Sequence, residues 1–162
     1  MSVYGFGGNK IFTEDMKPEP IDPYGISKYA CEMDIQVANK QHNLEYCIIR
    51  PHNVYGVNQN IWDKYRNVLG IWMYKILNNK KITIFGDGLQ KRAFSFIDDI
   101  LPYIWKCAIS NEVKNDIINI GGLKEYTILE AAKMLCDIAN ISYDNIEFLE
   151  ARHEVKTAVP SG

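Results

Sequence analysis

The sequence predicts an α/β fold with a parallel sheet, and three features carry that prediction. From Pro23 to about Lys40 the apolar residues Ile26, Tyr29, Ala30, Met33 and Val37 recur in steps of three and four, which marks one face of a helix. Directly after it, Leu44-Glu45-Tyr46-Cys47-Ile48-Ile49 is a short, mostly apolar run ended by Arg50-Pro51. Such a run lacks the alternation of a half-exposed strand and suits one buried on both faces of a parallel sheet. The rest of the chain keeps exchanging helical and extended stretches, as α/β chains do. With 162 residues, 47% hydrophobic and 23% charged, there is enough chain to bury a sizeable core.

Taken in order, Ser2-Val3-Tyr4-Gly5 reads as the end of a buried strand. Gly5-Phe6-Gly7-Gly8 is glycine-rich but is not a dinucleotide loop. That loop follows a full strand and opens a helix, whereas Asn9-Lys10 and a loop holding Pro18 and Pro20 follow here. Asp22-Pro23 starts the first helix with a capping acid, then a proline where no N–H is missed. Asn53-Val54-Tyr55-Gly56 is a loop at the carboxyl end of the following strand, the edge where open α/β sheets bind ligands. Trp62, Tyr65, Leu69, Trp72, Met73, Ile76 and Leu77 give a second amphipathic helix, its aromatic stripe suited to a core. Lys81–Phe85 is a strand turned by Gly86-Asp87-Gly88, and Arg92–Ile97 is a second strand by its alternation. Asp98-Asp99 caps a helix to about Ser110, with Pro102 tolerated in its first turn. Asp116–Ile120 is a strand closed by Gly121-Gly122. Thr127-Ile128-Leu129-Glu130 is a capping box for a helix to about Ala139, and Ile146–Leu149 is the last strand.

A net charge of −2 points to neither nucleic acid nor a membrane surface as partner. Cys31, Cys47, Cys107 and Cys136 stand far apart within apolar stretches. They read as small buried thiols in a reducing cytoplasm, neither a disulfide framework nor a metal site. No signal peptide and no long uncharged apolar run is present, so a membrane span or visible export is not expected.

Tyr24 and Lys28 lie one helical turn apart on one face. An ammonium beside a phenol favours the phenolate, and a tyrosine so tuned can take a proton from a substrate hydroxyl. An exposed helix pair with no chemistry gives the same spacing, so the order of the surrounding motifs decides its weight.

The succession VYG, PYGISK, IRPHNVYG, TIFGDG, RAFSFIDD and ARHEVK resembles the extended short-chain dehydrogenase/reductase family. More narrowly, it resembles the UDP-glucose 4-epimerase-like NAD-dependent epimerase/dehydratases that act on nucleotide sugars. The resemblance implies part of a Rossmann-like parallel sheet plus the smaller α/β substrate-binding region. Residues 1–56 would belong to the NAD-binding domain and 57–162 mainly to the substrate region, with 116–140 returning to the Rossmann-like sheet. The glycine-rich phosphate loop and the acid that holds the adenosine ribose have no counterpart. The family's catalytic Ser or Thr, four residues before the tyrosine of VYG, would precede Met1. Ser2 stands where some dehydratases carry an acid, which favours epimerisation over dehydration.

The resemblance further implies that Tyr24 is the general base and acid, and that Lys28 tunes it and bonds the nicotinamide ribose. Pro51 and His52 would pack the cofactor, and Asn53 would bind the sugar nucleotide. His52 stands where relatives carry an aromatic, and a packed, non-catalytic imidazole is an equal reading. Asn67 and Val68 match a diphosphate contact, Thr83 and Phe85 the strand that holds the uracil, and Arg92 the arginine on the diphosphate. Arg152 and His153 match a late phosphate-binding position, the spacing favouring His153. The expected function is NAD-dependent epimerisation of a UDP-sugar, with little activity unless an N-terminal segment complements the chain. Exposed apolar surface and an unpaired strand edge are expected with it. A homodimer through the tyrosine helix and a neighbouring helix is compatible with the resemblance. The rival readings are a non-catalytic remnant that binds a nucleotide sugar or a partner protein, and a dehydratase or reductase of another sugar.

Overall fold

The structure is a computed structural model describing residues 2–5, 11–63 and 67–151. The stretch from Phe6 to Lys10, Tyr65 and the run from Arg152 to Lys156 lie outside the described residues. The elements in chain order are α1 (Pro23–His42), β1 (Cys47–Pro51), β2 (Val54–Tyr55), α2 (Val68–Leu77), β3 (Ile82–Phe85), β4 (Lys91–Ala93), β5 (Ser95–Phe96), α3 (Ile97–Ile109), β6 (Asp116–Ile120), β7 (Glu125–Thr127), α4 (Ile128–Ala139) and β8 (Ile146–Leu149). Three strand pairs, β1 with β6, β2 with β5 and β3 with β8, are parallel, and β4 with β7 is antiparallel. By packing, the chain divides into two units: residues 1–52 with 98–121, and residues 53–97 with 122–162. These group residues by contact, whereas the domains expected from the sequence group them by ligand.

In the first unit β1 and β6 pair from Cys47 opposite Asp116 to Pro51 opposite Ile120. Val3, Tyr4, Ile48, Ile100 and Ile120 are its buried apolar residues. α1 starts as expected: Asp22 accepts from Gly25 N–H at 2.7 Å, and Pro23 fills the first helical position. It runs two residues past the expected end, closed by left-handed Asn43.

Several expectations are corrected. Ser2–Tyr4 is a 3-10 turn and not the end of a strand, because its groups bond locally: Gly5 N–H donates to Ser2 C=O at 3.3 Å. The apolar stripe of α1, by contrast, matches the expected exposed apolar surface: Ile26, Ala30, Met33 and Val37 are exposed, and the buried positions are Gly25 and Glu32. The helix meets its own unit through that narrower polar seam, so the stripe has no cover within the described residues. α3 likewise exposes Leu101, Tyr103, Trp105 and Ile109. Cys31 is exposed, Cys47 and Cys107 are half-buried, and Cys136 alone of the four is buried as expected.

In the second unit α2 and α4 pack on β3. Trp72, Ile82, Ile84, Ile128, Ala131, Ala132 and Cys136 form the core. The Thr127–Glu130 capping box is present at the start of α4. α2 begins at Val68, so Trp62 stands outside it and is exposed. The single strand expected at Arg92–Ile97 is two short strands interrupted at Phe94, because β4 pairs with β7 and β5 with β2. Val54-Tyr55, expected in a loop, supplies that β2 partner. Asp98 and Asp99 sit inside the first turn of α3, where carboxylates favour the helix dipole, and do not precede it. No described helix is long and apolar enough to cross a membrane.

Candidate functional site

The first unit carries Tyr24 and Lys28 in the opening turns of α1. Tyr24 is 63% exposed, and Lys28 Nζ lies 5.4 Å from the centroid of its ring. The amine and the phenol therefore share one helix face, in cation–π range. Ser27 Oγ donates to Tyr24 C=O at 2.7 Å, bonding the turn that presents the phenol. Gly25 explains why the turn fits: a Cβ there would lie 2.6 Å from Ser2 C=O and 3.0 Å from Pro20 Cβ. The first turn of α1 is thus pressed directly on the Ser2–Tyr4 backbone.

Two turns into α1, Glu32 forms a buried ion pair that sequence reading did not single out. Arg50 donates from Nε to Glu32 Oε1 at 2.9 Å and from Nη2 to Oε2 at 2.6 Å, with Arg50 4% and Glu32 7% exposed. Arg50 Nη1 donates to Tyr4 Oη, and Tyr4 Oη donates to Asn119 Oδ1 at 3.0 Å. Arg50 also lies 4.6 Å from the Tyr4 ring centroid. The bonds to Glu32 hold the guanidinium above its ordinary pKa, against the opposing effect of burial. This network ties α1, the Ser2–Tyr4 turn, β1 and β6 together at the carboxyl end of β1. The signal available in the sequence was an arginine closing an otherwise apolar strand and a glutamate one turn after Lys28.

Pro51 ends β1 and is exposed, while His52 is half-buried. His52 N–H donates to Ile120 C=O at 3.3 Å, and a Cβ on Gly121 would fall 1.8 Å from His52 Cε1. The imidazole therefore occupies the space that a Cβ at Gly121 would need.

The second unit holds the remaining candidates. Asn53 has φ 43°, its Nδ2 donates to Ala93 C=O at 2.8 Å, and its own C=O accepts from Ser95 N–H at 3.1 Å. That places it against the end of β4, the strand that carries Arg92. Arg92 is exposed and donates from Nη1 to Lys91 C=O at 2.9 Å, and desolvation of its guanidinium lowers the pKa from the ordinary value. Accessible area decides whether an anion can reach it, and by area it is open. Asn67 is committed locally: Oδ1 caps α2 through Leu69 N–H at 3.1 Å, and Nδ2 donates to Val54 C=O at 2.6 Å. Its side chain is thus engaged, leaving backbone N–H groups at the start of α2, Val68 among them, as the groups an anion could meet. A cavity of about 310 Å³ lies here, lined by Val54, Tyr55, Gly56, Gln59, Asn67 and Ile97.

Thr83 and Phe85 share the face of β3 opposite the core, half-buried. Thr83 Oγ1 accepts from Lys75 Nζ at 2.7 Å, and Thr83 C=O accepts from Trp72 Nε1 at 3.0 Å. Lys75 is a second residue that sequence reading passed over. Arg152 and His153 lie outside the described residues. The structure thus brings Tyr24 next to Lys28, Asn53 next to β4 and Thr83 onto one face with Phe85.

Parallel strand pairs connected through helices, with a ligand-sized cavity after a strand's carboxyl end, define an α/β protein of the Rossmann-like kind. A family profile described as "NAD dependent epimerase/dehydratase family" matches residues 1–121. The putative UDP-glucose 4-epimerase of Methanocaldococcus jannaschii is 36% identical over 129 residues, covering 80% of this chain and 41% of that protein. The UDP-glucuronic acid 4-epimerase from Bacillus cereus, solved with UDP-glucuronic acid and NAD, superposes with a TM-score of 0.83 at 32% identity, over 93% of this chain and 46% of its own. The dTDP-glucose 4,6-dehydratase from Bacillus anthracis, solved with NAD, gives a TM-score of 0.83 at 26% identity, over 93% and 47%. The chain belongs to the NAD-dependent epimerase/dehydratase family, and it spans less than half the length of these relatives.

Proposed function

We propose that this chain is the proton-transfer and sugar-nucleotide-binding portion of an NAD-dependent nucleotide-sugar 4-epimerase. The observation that carries the reading is the exposed Tyr24 phenol with the Lys28 amine over its ring. Tyr24 takes the proton from the sugar hydroxyl and later returns it, and Lys28 sets a positive charge on the same helix face, 5.4 Å from the ring centroid. NAD, when bound beside Tyr24 and Lys28, would supply the hydride acceptor for the same sugar carbon. The residues present fit its nicotinamide end: Tyr24 and Lys28 present a hydroxyl and an ammonium to solvent, and Pro51 and His52 follow β1 in the same unit. Asn53, Thr83, Phe85 and Arg92 bind the nucleotide sugar, and the backbone at Asn67 and Val68 receives the diphosphate. Epimerases among the relatives support this reaction, and so does Ser2, which by the resemblance stands where some dehydratases carry an acid.

The test is an interconversion assay with UDP-glucose and UDP-galactose, with the chain co-expressed beside an N-terminal segment carrying a glycine-rich phosphate loop. Turnover that disappears in Tyr24→Phe and Lys28→Met supports the reading. Turnover that survives Tyr24→Phe refutes the role given to that residue. The second reading, dehydration, is favoured by the fold likeness to dTDP-glucose 4,6-dehydratase. A 4-keto-6-deoxy product from dTDP-glucose in the same assay would replace epimerisation with it.

A further inference from the structure

β3 alternates strictly: Ile82 and Ile84 are buried in the core, while Thr83 and Phe85 face the other way. β8 runs parallel beside it, with Glu147 opposite Thr83 and Leu149 opposite Phe85. These four side chains therefore share one face of the pair. The face has two parts. Phe85 and Leu149 offer an apolar shelf, and Thr83 and Glu147 form a polar strip beside it. α2 adds Lys75 to that strip, with Nζ 2.7 Å from Thr83 Oγ1. An ammonium can only donate, so the Thr83 hydroxyl accepts from it and keeps its own hydrogen to donate elsewhere. Lys75 brings further N–H donors, and Glu147 brings a carboxylate acceptor. Desolvation lowers the Lys75 pKa from its ordinary value, with the Glu147 charge acting in the opposite sense. Donors drawn partly out of water bond an incoming acceptor more strongly.

We propose that Lys75 is a specificity-determining residue which, with Thr83, reads the carbonyl edge of a pyrimidine-dione base laid against Phe85. The proposal rests on the reading that Thr83 and Phe85 hold the base of the sugar nucleotide. Uracil and thymine present acceptor, donor, acceptor along the edge from O2 through N3–H to O4. Lys75 Nζ and Thr83 Oγ1 lie 2.7 Å apart, so the two donors converge on one carbonyl oxygen, O4, which cytosine lacks. Cytosine replaces N3–H by a lone pair and O4 by an amino group, which sets a lone pair or a donor against the wrong partner. A polar site left unpaired by the wrong ligand discriminates more sharply than an apolar one.

The test is calorimetric titration of the full chain with UDP and with CDP, for the parent, Lys75→Met and Thr83→Val. Lys75→Met keeps the apolar stem and removes the ammonium. The parent binds UDP about tenfold more tightly than CDP, the difference expected of one charge-assisted hydrogen bond. Lys75→Met weakens UDP about tenfold and CDP by less than about twofold, so the preference vanishes. Thr83→Val moves in the same direction. Far-UV circular dichroism verifies that each variant is folded. If Lys75→Met is not, Lys75→Gln, which keeps a neutral donor, retains part of the preference. Equal affinity of the parent for UDP and CDP, or a UDP/CDP ratio unchanged in the lysine variant, overturns the proposal. No binding of UDP by the parent overturns the base-site reading itself, a result visible before any variant is made.

Discussion

Replacing Glu32 by Leu removes one half of the buried ion pair and leaves the Arg50 guanidinium, 4% exposed, without its carboxylate. Two charge-assisted bonds at 2.9 and 2.6 Å are lost together, while the bond to Tyr4 survives. Breaking a buried pair from one side costs about 3–5 kcal/mol, because the remaining charge stays desolvated. Set against a total stability of about 5–15 kcal/mol, the loss is large. Urea titration followed by far-UV circular dichroism measures it. With a slope of about 2 kcal/mol/M, the midpoint falls by about 2 M and the slope stays the same. The companion variant Glu32→Leu/Arg50→Met removes both charges, and it should recover most of the loss because matched apolar replacement of a buried pair is close to neutral. A single variant within about 1 kcal/mol of the parent refutes the reasoning. A double variant no better than the single also refutes it, since the cost would then lie in packing and not in an uncompensated charge.

Four further outcomes are expected. Gly25→Ala should lower the melting temperature, although alanine favours helix by about 1 kcal/mol, because its Cβ would lie 2.6 Å from Ser2 C=O; a higher melting temperature would mean that the turn gives way freely. Thr127→Ala should cost about 1 kcal/mol in urea titration by removing the cap of α4. Bonds from the Thr127 N–H and hydroxyl hold the Glu130 carboxyl below the usual carboxylate range. Its stabilising effect is therefore complete above that range and fades as pH falls through the depressed value, so Glu130→Gln should flatten the acid limb of the stability curve. With a thiol reagent at neutral pH, exposed Cys31 should react first and Cys136 last, since burial removes Cys136 from reagent and raises its pKa; Cys31→Ser should abolish the fast phase.

The features legible in the sequence are those carried by short-range periodicity and capping chemistry. Asp22-Pro23 and Thr127–Glu130 announced helix starts because a cap bonds N–H groups two or three residues away. The apolar run before Arg50 announced β1, and Tyr24 and Lys28 announced a shared face by their spacing alone. The open or misread parts depend on what lies across from them. The stripe on α1 has a helical period whether or not anything covers it, so the pattern could not say that Ile26, Met33 and Val37 stay exposed. Arg92–Ile97 alternates like one strand, yet its two halves pair with different partners.

By itself, then, the chain's order of residues determined most of the secondary elements, the shared helix face of Tyr24 and Lys28 and the family, because each is written in neighbours within a few positions or in motifs of set succession. Tertiary structure alone decided that Arg50 meets Glu32 across 18 positions and that Tyr4 meets Asn119 across 115. It alone laid His52 on Gly121 and brought Lys75 to Thr83. Close packing and, for Arg50 and Glu32, the need of a buried polar group for a partner act through space and leave no period in the sequence.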